Sequence, residues 1–525
     1  MSRRIEIYDV TLRDGAQGPG VKFSSEDQLH IVEALDAFGV SYIEGGQPGS
    51  NPKAVELFER ARDLDLQSAK MAAFGSTRHS KSAVEDDANI KALLSAGTEV
   101  VTIFAKSWPI HVEQVLRVSL DENLALIAES VAYLKSQGRR VFLDAEHFYD
   151  GYAADAEYAL ATLQSGWEAG AEILVLCETN GGRLPMEVAA ATRAVRERFP
   201  DAPMGVHAHN DSGCAVANSL MAVVEGATQV QGTVNGYGER TGNANLSTVI
   251  PNLQLKMGCD LVRPEQLADL TRLSHLVAEL ANMTPRDSDP FVGRDAFTHK
   301  GGMHADAVRK LKTSYEHVQP ELVGNETRTP VSEMSGRSSL LQKAAQLGLE
   351  LDRDRPETRA ILQRVKELEN EGFEFESADA SLELLIRKAT GGYQPLFRVM
   401  GFRVSVERRA ADGPSLCEAT VKIALPDGEI MHTAAEGNGP VDALNNALRK
   451  ALEPKYPVLR DVHLEDYKVR ILNAQAATGA KTRVLIESSD PEHSWDTVGV
   501  SENIIIASAD ALLDSIEYKL LRGRP

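Results

Sequence analysis

Cysteine is scarce in this sequence, with four residues in 525: Cys177, Cys214, Cys259 and Cys417. They lie far apart and form no CxxC pair, which argues against a disulfide framework and a thiolate zinc site. Long apolar runs are also missing. The sequence contains no stretch of about 18 apolar residues, which is the length that could span a bilayer. The opening residues, MSRRIEIYDV, lack the apolar segment of a signal peptide. We therefore expect a cytoplasmic protein without a membrane partner.

Positive charge is in deficit as well. The chain has 56 basic against 76 acidic residues, a formal net charge of −20. Such a balance repels the phosphates of nucleic acids and anionic lipids, so neither is an expected partner. Hydrophobic residues make up 43% and charged residues 25%, as in an ordinary globular protein. The length predicts two or three domains.

Short apolar runs alternate with amphipathic stretches over about residues 1–257, in eight repeats. This number of repeats in this length is typical of an α/β fold of the (β/α)8 TIM-barrel type. A doubly wound open sheet is the alternative. It usually carries a glycine-rich phosphate loop after the first strand, and LRDGAQGPG does not fit the pattern GxGxxG. The pattern therefore favours the barrel.

The rest of the chain changes character twice. Residues 258–395 are mostly helical and charged, which predicts a linker region of small helical subdomains. From residue 396 to residue 525 the pattern is strands followed by a helix, repeated once. We predict a separate C-terminal α+β domain there, without an obvious catalytic cluster.

Function in a TIM barrel collects at the carboxyl ends of the strands. The first strand is predicted to end in TLRDG, which contains Asp14, and the seventh in HAHND. His207 and His209 are two residues apart on a strand, so they point to the same side. Barrel closure brings these two histidines together with Asp14 and with Asn243, which follows the eighth strand. The four side chains can converge on a divalent cation such as Mn²⁺, Zn²⁺ or Co²⁺, with Mg²⁺ also possible. Ordinary hydrogen bonds at a strand end are the alternative.

Three more polar residues fall at predicted strand ends. Arg13 can stabilise a developing enolate or alkoxide, or it can simply pair with Asp14 or Glu44. Glu146 can orient water or a base, and the hydroxyl of Thr179 can bind a substrate carboxylate. Both can instead be polar residues that face solvent.

At these residues the sequence resembles the family of isopropylmalate, homocitrate and citramalate synthases, relatives of the hydroxymethylglutaryl-CoA lyases in the DRE-TIM metallolyase superfamily. LRDGAQ, HAHND and GERTGNANL look like its signatures for strands 1, 7 and 8. DAEHFYDG, CETNGG and HKGGMHADA look closest to the citramalate synthase branch. Many relatives carry an acidic residue where Ala16 stands, so that position has no ligand role here.

The resemblance implies a Claisen-type condensation of acetyl-CoA with pyruvate that gives (R)-citramalate and CoA, in isoleucine biosynthesis. Arg13 would polarise the keto oxygen, Glu44 would aim Arg13, Thr179 would bind the carboxylate, and Glu146 would take part in acid–base chemistry or position water. The implied metal ligands are Asp14, His207 and His209, with Asn243 as a further one.

The resemblance also extends beyond the barrel. In the predicted linker, His304 and Tyr315 match residues that family members deliver to the partner subunit's active site, which implies a homodimer. His304 would be a candidate base for the methyl group of acetyl-CoA. The C-terminal domain resembles an amino-acid feedback domain, with isoleucine as the expected regulatory ligand.

Alternatives stay open for the reaction. The acceptor can instead be 2-oxoisovalerate, 2-oxoglutarate or glyoxylate, which includes the acceptors of an isopropylmalate or homocitrate synthase. A hydrophobic pocket distinguishes two substrates that differ by one methylene group by only about 1–3 kcal/mol of binding free energy. Phe74 and Phe104 can narrow the pocket for pyruvate, or they can belong to the barrel core. A metal-dependent acyl-CoA lyase and a non-catalytic sensor are the other possibilities.

Overall fold

A computed structural model of the full chain gives the fold. It describes residues 3–299, 304, 307–308, 310–328, 337–346, 349, 351, 356–375, 377–390, 393–408, 415–473, 479–491 and 493–522. These residues form two compact units, which are described separately. One comprises Met1–Phe297 with Glu316–Thr327, and the other comprises Thr298–Tyr315 with Arg328–Pro525.

The first unit is a closed barrel of eight parallel strands in sequence order. The predicted (β/α)8 fold is confirmed, and the open-sheet alternative is excluded because β1 pairs with both β2 and β8. The strands are β1 (Glu6–Asp9), β2 (Tyr42–Gly46), β3 (Lys70–Ser76), β4 (Val100–Lys106), β5 (Arg140–Glu146), β6 (Ile173–Glu178), β7 (Met204–Ala208) and β8 (Gln229–Gly232).

Helices surround the barrel and bury their apolar faces against it. In the first of them, Ser24 and Asp27 form a reciprocal capping box, and Gly39 ends the helix in the left-handed conformation. The helices are α1 (Ser25–Phe38), α2 (Pro52–Ala61), α3 (Ala88–Ser95), α4 (Pro109–His111), α5 (Leu120–Ser136), α6 (Phe148–Ala154), α7 (Ala156–Glu168), α8 (Pro185–Arg198), α9 (Ala215–Val224), α10 (Leu246–Pro251), α11 (Pro264–Leu267) and α12 (Leu270–Leu280).

The first strand ends earlier than predicted. It stops at Asp9, and the carbonyl of Val10 then accepts the N–H groups of Arg13, Asp14 and Gly15 in a tight turn. A short 3-10 helix, Gly15–Gln17, follows. Arg13 and Asp14 therefore lie in a loop above the strand, where their direction is set by the turn and not by strand alternation.

Three aromatic rings fill part of the barrel interior. Tyr8, Tyr42 and Phe142 come from β1, β2 and β5, and the edge of the Phe142 ring meets the Tyr42 ring with centroids 5.1 Å apart. Smaller residues from β3, β4 and β6, such as Ala72, complete this buried cluster. Such layers of side chains make a barrel interior a packed core.

In the second unit, the described residues between 337 and 389 form three helices, and a strand-rich part follows. The helices are α13 (Arg337–Gln346), α14 (Pro356–Glu371) and α15 (Asp379–Ala389). Two three-stranded antiparallel sheets follow, with strand orders β11-β10-β9 and β12-β13-β14. Their bounds, with the helix after each sheet, are β9 (Arg398–Arg408), β10 (Ser415–Ala424), β11 (Ile430–Gly437), α16 (Pro440–Leu452), β12 (His463–Ile471), β13 (Thr482–Ser489), β14 (Ser494–Ser501) and α17 (Ile504–Arg522).

The two sheet-and-helix modules confirm the predicted C-terminal α+β fold. In β10, every second residue from Cys417 to Ile423 is buried, as expected for a strand that packs one face under a helix. The boundaries at residues 257 and 395 stay predictions. Among the described residues, no helix is both long enough and apolar enough to cross a lipid bilayer.

Truncation of Phe142 tests the packing of the barrel interior. The side chain is fully buried against two aromatic rings, so we expect Phe142→Ala to lower the free energy of unfolding by about 3–5 kcal/mol, through lost transfer energy and a cavity. Chemical denaturation measures this, with Met186→Ala as the control, because the Met186 side chain near the start of α8 is exposed. Equal midpoints for the two variants would contradict the packing described here.

Candidate active site

Asp14, His207 and His209 meet at the carboxyl end of the barrel. The Nε2 atoms of His207 and His209 lie 3.7 Å and 3.9 Å from Oδ2 of Asp14. All three residues are buried, and one ligand atom from each lies within 4.8 Å of the others. The three atoms are too far apart for hydrogen bonds between them, whereas a cation placed among them would contact all three.

The charges of these residues fit a metal ion. Burial alone would raise the pKa of Asp14, but the guanidinium of Arg13, 2.7 Å away, holds it well below its usual range. Burial lowers the pKa of His207, and it lowers the pKa of His209 to about 3, so both rings are neutral. One carboxylate with two neutral imidazoles is a donor set that suits a borderline divalent ion.

Asn243 lies beside this cluster. Its Nδ2 donates hydrogen bonds to Oδ1 of Asp14 (2.8 Å) and to the carbonyl of Tyr237 (3.1 Å). Its Oδ1 is buried and has no hydrogen-bond partner among the described residues. A buried oxygen without a donor is costly, and a bound cation would satisfy it. The position of Asn243 fits a ligand role, and that role stays a prediction.

Two glycines let the loop after β8 approach this closely. A Cβ at Gly238 would lie 2.2 Å from Nδ2 of Asn243, and a Cβ at Gly242 would lie 1.9 Å from the carbonyl oxygen of Gly236. Both glycines also have positive φ, at 152° and 93°. The sequence GERTGNAN therefore brings backbone against the cluster where no other residue would fit.

Arg13 is held between two carboxylates on top of an aromatic ring. Its Nε binds Glu44, its Nη1 binds Asp14, and its Cζ lies 3.9 Å from the centroid of the Phe74 ring. Burial alone would lower the pKa of Arg13, but the two carboxylates raise it above its ordinary value. The predicted pairing of Arg13 with Glu44 is present, and Phe104 stacks on Phe74 at 5.4 Å.

Glu44 is fully buried and needs two partners. Its Oε1 accepts from Arg13, and its Oε2 accepts from the hydroxyl of Tyr8 at 2.7 Å. Thr102 lies 2.7 Å from the same hydroxyl. We did not predict Tyr8 or Thr102 from the sequence, because a tyrosine and a threonine inside apolar runs read as ordinary strand residues.

Glu146 and Thr179 lie at the carboxyl ends of two neighbouring strands, β5 and β6. Glu146 ends β5 and forms an ion pair with Lys106, its register partner at the end of β4. Thr179 follows β6, and its Oγ1 accepts a 2.9 Å hydrogen bond from the backbone N–H of His147, a residue with a φ of +57°. Lys106 and His147 were not predicted from the sequence, because the contact of Lys106 depends on strand register and the contact of His147 on a backbone conformation that a sequence does not show.

His304 and Tyr315 belong to the second unit. Their rings stack with centroids 4.4 Å apart. The structure therefore keeps these two predicted residues together, and their roles stay predictions.

A cavity of about 630 Å³ opens at the other, amino-terminal end of the barrel. The positive charges that line it are each paired with a carboxylate, such as Arg4 with Asp260 and Lys70 with Glu99. We place no chemistry there, since the amino-terminal face of such barrels contributes mainly to stability.

Three family models match successive parts of the chain. The HMGL-like model matches residues 4–277, the homocitrate synthase post-HMGL domain-like model matches residues 291–372, and the LeuA allosteric (dimerisation) domain model matches residues 376–520. All the barrel residues discussed above lie within the first match.

Curated relatives are similar over almost the full length. An (R)-citramalate synthase of Aquifex aeolicus is 52% identical over 522 residues, which cover 99% of both chains. One of Synechocystis is 53% identical and covers 98% of this chain and 96% of its own. Among solved structures, a Bacillus subtilis HMG-CoA lyase is 21% identical, with a TM-score of 0.46, over 54% of this chain and 95% of its own.

Removal of Glu44 tests the buried ion pair. We expect Glu44→Ala to lower the free energy of unfolding by about 3–5 kcal/mol, because Arg13 stays buried with one carboxylate missing. Chemical denaturation measures the loss. Glu26→Ala, which breaks an exposed pair with Arg60, is the control and should change little. A Glu44→Ala protein as stable as this control would show that the buried pair does not contribute to stability.

Proposed function

The chain belongs to the family of the (R)-citramalate synthases, within the HMGL-like enzymes, and we propose that it condenses acetyl-CoA with pyruvate to give (R)-citramalate and free CoA. The observation that carries this proposal is the convergence of Asp14, His207 and His209 beside Arg13, whose side chain is almost buried. The cluster lies in a chain that matches named citramalate synthases from end to end. The product would feed isoleucine synthesis.

The metal ligands in this proposal are Asp14, His207 and His209, with Asn243 turning its free Oδ1 toward the ion. Neutral imidazoles with carboxylate and amide oxygens favour Mn²⁺, Co²⁺ or Zn²⁺, and Mg²⁺ is compatible with the oxygen donors. When bound, such an ion supplies Lewis-acid polarisation of the keto acid.

Arg13 and Thr179 would bind and orient the 2-oxo acid. The guanidinium of Arg13 is fixed by Glu44 and Asp14, so it can stabilise negative charge on the keto oxygen as the new bond forms, with little reorganisation. The hydroxyl of Thr179 accepts from His147, which leaves its own proton available for the substrate carboxylate.

A base must remove a proton from the methyl group of acetyl-CoA. We assign this step to His304, with Tyr315 stacked against it. The methyl carbon then bonds to the keto carbon, and the keto oxygen takes up a proton, which balances the one lost from the methyl group, to become the hydroxyl of the product. Glu146, paired with Lys106, would position the water that hydrolyses the thioester and releases CoA.

The match to the LeuA dimerisation domain indicates a homodimer. In our proposal, His304 and Tyr315 serve the active site of the partner subunit, and isoleucine is the feedback ligand of the C-terminal modules. The four cysteines are free thiols, which supports the expected cytoplasmic location.

The identity of the 2-oxo acid that accepts the acetyl group is the most specific part of the proposal. Phe74 and Phe104 stack beside Arg13, so they can limit the space next to the keto group and favour pyruvate over longer acids. A metal-dependent acyl-CoA lyase is the second candidate within the fold, but the C-terminal LeuA-type domain favours synthesis.

Release of CoA from acetyl-CoA tests the reaction. We expect free thiol to appear with pyruvate and Mn²⁺, faster than with 2-oxoisovalerate, 2-oxoglutarate or glyoxylate, and to stop when a chelator removes the metal. The measurement is a thiol-reactive colorimetric assay. A preference for a longer acid would change the assigned substrate, and no release with any acid in folded, metal-loaded protein would contradict the synthase proposal.

His207→Ala tests the metal site directly. We expect this variant to lose both the bound metal and turnover, because one of the proposed metal ligands is gone. Metal content after dialysis can be measured by mass spectrometry, with His79→Ala, at an exposed histidine outside the site, as the control. Full metal occupancy in His207→Ala would contradict the ligand assignment.

A further inference from the structure

We propose that Gln231, anchored by Asp144, is a positioning residue that fixes which ring nitrogen of His207 carries the proton. This inference rests on the proposed metal site at Asp14, His207 and His209. It assigns a role to two buried polar residues that the condensation itself does not use.

The contacts form a chain across three strands. Gln231 of β8 is the register partner of His207 on β7, and its Oε1 lies 3.0 Å from Nδ1 of His207. The Nε2 of Gln231 donates a 3.2 Å hydrogen bond to Oδ1 of Asp144 on β5. Gln231 is 0% exposed and Asp144 is 3% exposed, so water does not compete for these bonds.

The chemistry of the amide makes this chain directional. In the structure, the amide nitrogen of Gln231 faces Asp144, where a carboxyl oxygen accepts its hydrogen bond. The amide oxygen therefore faces His207, and it can only accept. Nδ1 of His207 must then carry the ring proton, which leaves the lone pair of Nε2 directed toward Asp14, 3.7 Å away.

A neighbouring glutamine shows that burial alone does not explain this arrangement. Gln229 lies two residues earlier on β8, so it points to the same side of the strand, and it is also 0% exposed. Neither of its amide atoms has a hydrogen-bond partner among the described residues. Gln229 and Gln231 thus share residue type, strand and burial, and differ in the contact with His207.

The experiment measures metal binding without turnover. Full-length apoprotein is titrated with Mn²⁺, and free Mn²⁺ is followed by electron paramagnetic resonance. We expect Gln231→Met, which keeps the side-chain volume, to weaken Mn²⁺ binding about 10- to 100-fold. Gln229→Met should bind Mn²⁺ as the unmodified protein does. Asp144→Asn keeps an oxygen acceptor and should also stay near the unmodified protein.

Equal Mn²⁺ affinities for Gln231→Met and Gln229→Met would overturn the inference while leaving the proposed function intact. Failure of the unmodified protein to bind Mn²⁺ would overturn the metal site and this inference with it. A second measurement does not depend on the folding of a variant. In apoprotein labelled with ¹⁵N-histidine, the His207 ring should show a proton on Nδ1 and none on Nε2, and the opposite tautomer would refute the role of Gln231.

Discussion

A permanent positive charge, almost fully buried at the carboxyl end of the barrel, determines the arrangement of the groups around it. The guanidinium of Arg13 cannot give up its proton, so it has to be surrounded by acceptors once it is taken out of water. Glu44 and Asp14 supply these acceptors, and Phe74 covers one face of the guanidinium. Asp14 thereby stays ionised and directed at the two histidines, which is the state that a metal ligand requires. The guanidinium of Arg13 and the proposed metal ligands therefore form one electrostatic unit and not two neighbouring sites.

Further buried hydrogen bonds hold Glu44 and His207 of this unit in place. The hydroxyl of Tyr8 satisfies the second oxygen of Glu44, and Gln231 and Asp144 support His207. Burial and the nearby charge of Glu44 raise the pKa of Asp144 to about 8, so this carboxyl adds little further negative charge at neutral pH. Tyr8 also packs with Tyr42 and Phe142, which ties the polar layer to the apolar layer of the barrel.

The sequence is sufficient for the barrel, because alternating apolar runs and helical periodicity are local signals. It is also sufficient for the convergence of His207, His209 and Asp14, since barrel closure brings strands 7, 8 and 1 together. The contacts of Lys106, Gln231 and Asp144 were not predicted, because they depend on register and on neighbours across the barrel. The early end of β1 was missed for a different reason: the run IEIYDVTL reads as one strand, and only the turn at Val10 interrupts it.

The glycines beside Asn243 have a consequence for how such a pocket can change in evolution. No side chain can be added at Gly238 or Gly242 without displacing backbone or the asparagine itself, so this wall of the site is closed to variation. Phe74 and Phe104, in contrast, line the space beside Arg13 with side chains, and a smaller side chain can replace either of them without a change in the backbone. A change in the accepted 2-oxo acid would therefore be expected from substitutions in β3 and β4, while the sequence of the loop after β8 stays the same.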